Sequence, residues 1–61
     1  MARVQGALNE LPERQRTALM LKAQEDMSYA EIAVIMGASA SSVESLIFRA
    51  RKRLLEIMES E

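Results

Sequence analysis

Between Ser28 and Val43, the sequence SYAEIAVIMGASASSV leaves the backbone few choices. Ser28 and Glu31 have the spacing of a capping box. The serine hydroxyl accepts from the backbone N–H three residues on, and the glutamate reaches back to the N–H of the serine. The apolar set Ile32, Ala33, Ile35 and Met36 then predicts one side of a short helix, and Gly37 ends it. Glycine enters the left-handed conformation at a helix end without a Cβ penalty. Only Ala38 separates Gly37 from Ser39, a good N-cap for a further helix. Two helices joined this tightly must cross steeply, as in a helix-turn-helix. Steep crossing needs a small side chain at the contact, which Ala33 supplies. Val43 and Leu46 return apolar bulk to the joint.

The rest of the chain is equally biased toward helix. Its 61 residues include two glycines and one proline, and no stretch alternates in the way a half-buried strand requires. A first helix is expected from Ala2 to Leu8, ending near Asn9. Pro12 suits the first turn of a second helix, where its missing N–H is no loss. That helix would bury Ala18, Leu19 and Leu21, end near Asp26, and leave Met20 partly exposed. The expected fold class is all-α: a small four-helix domain with a helix-turn-helix at about residues 28–58 and a long C-terminal recognition helix.

Composition removes several classes of function. A chain of this size buries only roughly 60% of its unfolded surface, so it has no room for a two-layer α/β enzyme with its own cofactor cleft. Cysteine and histidine are both absent, which removes disulfides, the commonest metal ligands and the commonest general base. No catalytic residue, metal site or cofactor is expected. Nor does any apolar run approach the roughly 18 residues of a membrane span, and the expectation is a soluble cytoplasmic module.

Net charge is −1, but the charge lies in blocks. Residues 1–48 hold four cations against six acids, whereas Arg49, Arg51, Lys52 and Arg53 fall within five residues containing no acid. One explanation is an ordinary solvated helix face with pairs such as Lys52 and Glu56. The rest of the last helix says more. At about 100° per residue, Val43, Ile47, Ala50, Leu54 and Ile57 form one stripe, flanked by Leu46. Ser41, Ser45, Phe48, Lys52 and Glu59 lie opposite, with Ser42 and Arg49 at the edge. Phe48 is the misfit there, because Tyr29 is the only other aromatic residue in the chain.

A major groove would explain it. An apolar side chain can pack on a thymine methyl, small serines allow close approach, and arginine can bind guanine O6 and N7 together. Ser41, Ser45, Phe48 and Arg49 are therefore the base-contact candidates. Ser39, Ser42, Arg51, Lys52 and Arg53 are candidates for phosphate, which fixes register without reading sequence. Glu44 is awkward on such a face: it repels phosphate, and could accept from cytosine N4 or pair with Arg51.

The segments LNELPERQRTALML, MSYAEIAVIMG and SVESLIFRARKRL together resemble region 4 of bacterial σ70-type factors, in particular the extracytoplasmic-function (ECF) group. The resemblance runs from about Leu8 to Met58. It implies a domain that binds the −35 promoter element as double-stranded DNA, docks on the β flap of RNA polymerase core, and is masked by an anti-sigma factor. By position, Ser45, Phe48 and Arg49 match recognition-helix residues that touch bases or flanking phosphates. Arg51 and Arg53 fall in the shared basic run. Glu44 and Leu46 stand where many relatives carry cations, which implies a weaker phosphate grip or an altered preferred sequence.

Residues 1–61 are thus expected to form a single region 4-like domain, belonging to a longer sigma factor that also has a region 2. Two other readings fit the residues. One is a protein-interaction module in which Met20, Phe48 and Leu55 meet a polymerase or anti-sigma surface. The other is the helix-turn-helix domain of a different regulator, such as a response-regulator output domain.

Overall fold

The computed structural model describes residues 2–60, and side chains for residues 6–60. Four helices follow in order: α1 (Ala2–Asn9), α2 (Glu13–Glu25), α3 (Tyr29–Met36) and α4 (Ala40–Glu59). The fold is all-α, as expected, and α4 is its axis. Its 20 residues span about 30 Å at 1.5 Å per residue, which accounts for most of the 35 Å long dimension. All three other helices pack on it, and α2 also packs on α3.

The punctuation of the chain works by identifiable bonds. At the end of α1, Glu10 N–H donates to Ala7 C=O and Leu11 N–H to Leu8 C=O, both at 3.1 Å, tightening the last turn. Pro12 lies one position earlier than the sequence suggested. It is the N-cap of α2, with ψ at 145°, and its carbonyl accepts the first helical bond from Arg16 N–H at 2.9 Å. The chain must swing out of α1 at this point, so Pro12 keeps an extended ψ instead of joining the first turn. Proline offers no capping side chain, and α2 starts without one. The helix ends at Asp26, whose φ of 52° is left-handed.

The capping box of α3 is complete. Ser28 Oγ accepts from Glu31 N–H at 3.1 Å, and Glu31 Oε1 accepts from Ser28 N–H at 2.8 Å. Gly37 closes the helix with φ 65°. Ala38 N–H donates to Ala33 C=O at 2.9 Å and Gly37 N–H to Val34 C=O at 3.3 Å, the bond pair of a Schellman motif. Ser39 then caps α4 by accepting from Ser42 N–H at 3.0 Å. Across this turn the chain bends by 98°, within the range of a helix-turn-helix.

Leu11, Ala18, Leu19, Ile32, Ala33, Val43, Ile47 and Ala50 form one buried cluster. Ala33 and Val43 share it, as the crossing of α3 and α4 requires. Ile57 is buried further along α4, while Leu21, Leu46 and Leu54 are half-buried at its margin. Among the described residues no polar or charged side chain is buried, so the core holds together by apolar contact alone.

Ile35 does not join this core: it is 58% exposed. The inward positions of α3 are Tyr29, Ile32, Ala33 and Met36, spaced i, i+3, i+4 and i+7. Ile35 falls outside that stripe, as does Val34 at 82% exposed.

Candidate nucleic-acid interface

The outer face of α4 is built by the same periodicity that makes its core face. Val43, Ile47 and Ala50 anchor the inner side. The helix therefore has one orientation, and Ser41, Ser45, Phe48 and Lys52 project from the opposite side, all exposed. Phe48 is 67% exposed, so the ring contributes little to the core.

Three open depressions run along this side of the molecule. The largest, of about 650 Å³, is lined by Ser41, Glu44, Ser45, Phe48, Arg49 and Lys52. The base-contact candidates Ser41, Ser45, Phe48 and Arg49 are thus brought together on one surface. A second, of about 370 Å³, joins Arg14 of α2 to Ser41, Ser42, Ser45 and Arg49. A third, of about 390 Å³, joins Pro12 and Gln15 to Arg49, Lys52 and Arg53. Arg49 borders all three, at the point where α2 approaches the exposed face of α4.

The remaining candidates separate. Ser39 is committed to the cap: its Oγ accepts from Ser42 N–H and donates to Ser42 Oγ, each at 3.0 Å. Arg51 is exposed but borders none of the three depressions, unlike Lys52 and Arg53. Leu55 is 58% exposed and Met20 half-buried. The pair of Lys52 with Glu56 that an ordinary solvated face would offer does not form. Glu56 instead lies 3.7 Å from Arg53, three residues before it, and both side chains are 53% exposed. Such an exposed pair contributes about 0–1 kcal/mol, so Arg53 remains available to another anion.

Arg14 and Gln15 were not singled out by sequence reasoning, which looked for the interface on α4 alone. A signal for them existed. They stand one turn before the buried pair Ala18 and Leu19, and so at the edge of the α2 face that meets the core. Among the described residues, no group of three or more His, Cys, Asp or Glu side chains is placed to hold a metal ion. No single helix among them is long and apolar enough to cross a membrane.

Residues 1–54 match the family model described as Sigma-70, region 4. The chain is 43% identical over 53 residues to an RNA polymerase sigma-H factor of Pseudomonas aeruginosa, covering 87% of this chain and 28% of that protein. It is 41% identical over 49 residues to the ECF RNA polymerase sigma factor SigM of Bacillus subtilis, covering 80% and 30%. Over 60 residues it is 35% identical to the RNA polymerase sigma factor NccH of Alcaligenes xylosoxydans xylosoxydans, covering 98% and 32%. The chain therefore spans about a third or less of the length of these curated relatives. Matched over most of its length, and folded around a helix-turn-helix, the chain belongs to the sigma-70, region 4 family.

Proposed function

We propose that this chain recognises the −35 element of bacterial promoters as the DNA-binding domain of an ECF-type sigma factor, directing RNA polymerase to initiate transcription. One observation carries the reading. Phe48, Arg49 and two serines share an exposed surface on the second helix of a helix-turn-helix, where no core function explains them. In a major groove, Ser41, Ser45, Phe48 and Arg49 contact base edges. Arg14, Ser42, Lys52 and Arg53 hold phosphates on the side where α2 approaches, with Arg51 on the other flank. Ser39 contributes by holding the helix start in place. As part of a longer sigma factor with a region 2 elsewhere, the domain would act in the cytoplasm, where promoter DNA and polymerase core meet.

Binding of this chain to a −35 duplex should weaken with salt, with a log–log slope of about −0.9 per phosphate contact. Arg14→Ala should weaken binding evenly across sequences and make that slope shallower by about one unit. A salt response unchanged by Arg14→Ala would remove α2 from the interface.

Other exposed apolar side chains support the protein-binding side of the same function. Val34 and Ile35 are exposed together on α3, and Leu55 on α4. Large exposed apolar side chains on so small a domain suit a protein partner, here the β flap of polymerase or an anti-sigma factor. Met20, half-buried on α2, offers less area to such a partner.

A further inference from the structure

We infer that Glu44 is a base-reading residue whose carboxylate accepts a hydrogen bond from the exocyclic amine of a cytosine in the major groove. The inference rests on the promoter-binding reading and adds a specificity determinant to it.

Glu44 has no structural task on its own helix. Helix α4 begins at Ala40 and has no acid in its first turn, so Glu44 sits past the reach of the favourable N-terminal dipole. Its neighbours at i±3 and i±4 are Ala40, Ser41, Ile47 and Phe48, none of them a cation. Arg51 is seven residues away, about 10 Å along the axis, and among the described residues Glu44 makes no ion pair. It is nonetheless exposed on the same depression as Ser45, Phe48 and Arg49. Phe48 follows it by one turn.

A carboxylate carried into a groove walled by phosphates is repelled unless it finds a donor. Guanine presents only acceptors on its major-groove edge, and thymine presents an acceptor and a methyl. Adenine has an amine, but its N7 acceptor stands beside it and repels the second carboxylate oxygen. Cytosine N4 presents a donor with no acceptor of its own alongside. Glu44 thus favours cytosine and penalises the other three bases. Arg49 stands five positions after Glu44, about 7.5 Å along the helix. For a helix lying along the groove, this places the cytosine within about two base steps, at 3.4 Å each, of the guanine read by Arg49.

The test is selection from duplexes randomised across the −35 element, using this chain unaltered and as Glu44→Gln and Glu44→Ala, with circular dichroism to confirm helicity. The unaltered chain should enrich a motif containing that cytosine by about five- to tenfold over other bases. Glu44→Gln should move the preference toward adenine, which an amide can bind through N6 and N7 together, and Glu44→Ala should flatten it. If both variants keep the wild-type motif and only bind more tightly to every sequence, Glu44 merely repels phosphate, and the inference is overturned while the promoter reading stands. If the unaltered chain enriches no motif, both fall together.

Discussion

Gly37 and Asp26 both place the backbone in the left-handed region, with φ of 65° and 52°, but only one of them lacks a Cβ. Nothing lies within 4 Å of a Cβ added at Gly37, so the cost of Gly37→Ala is conformational, about 1–2 kcal/mol. Gly6 gives the opposite case. It lies inside α1 with equally open space around it and no positive φ, so Gly6→Ala should stabilise by roughly 0.5–1 kcal/mol. Thermal unfolding checks both, since 1 kcal/mol shifts Tm by about 4–8 °C in a domain of this size. A Gly37→Ala variant as stable as the parent would mean that the turn relaxes to another geometry. At Asp26 the conformation is unfavourable for a side chain, and its carboxylate sits at the negative end of α2. Asp26→Gly should therefore raise Tm by several degrees, and a lower Tm would contradict this. Gly37 was legible because a glycine between two helical patterns has one obvious use. Asp26 was not, because aspartate at a helix end is common in several backbone conformations.

Helix α3 depends on its cap more than its length suggests. It has eight residues, far below the roughly 12–15 at which an isolated helix holds in water. Removing the hydroxyl in Ser28→Ala takes away the acceptor of the 3.1 Å bond from Glu31 N–H and half of the capping box. The expected loss is about 1 kcal/mol, read by chemical denaturation; a loss near zero would show that water replaces the serine. The capping box, the glycine stop at Gly37 and the Ser39 cap were legible because each is a local rule about adjacent residues. The exposure of Ile35 was also written in the sequence, through the i, i+3, i+4, i+7 spacing of Tyr29, Ile32, Ala33 and Met36. It was obscured because isoleucine is usually buried. The position of α2 beside the face of α4 is different in kind. It depends on how two helices distant in sequence pack, so the place of Arg14 beside that face became visible only with the structure.

Among the described residues, ten apolar side chains are buried in one thin core, and two surfaces are left unexplained by folding. One is the α3 patch of Val34 and Ile35. The other is the face of α4 that gathers Phe48, Arg49 and the serines, with Arg14 at its margin. A domain of roughly 60 residues is stable by only a few kcal/mol, and side chains kept out of its core at that margin call for a function. The α4 face was largely legible from helical periodicity; the grouping of Arg49, Lys52 and Arg53 apart from Arg51 was not, because it depends on where α2 lies. Whether this face reads promoter sequence is tested most directly at Arg49. Binding of the unaltered chain and of Arg49→Ala should be measured on a set of −35 duplexes that differ one base pair at a time. Loss of about 1–3 kcal/mol on the preferred sequence, with selectivity relaxed at one position and kept elsewhere, is the predicted result. Equal weakening on every duplex would make Arg49 a phosphate contact and contradict the assignment of this face to base recognition.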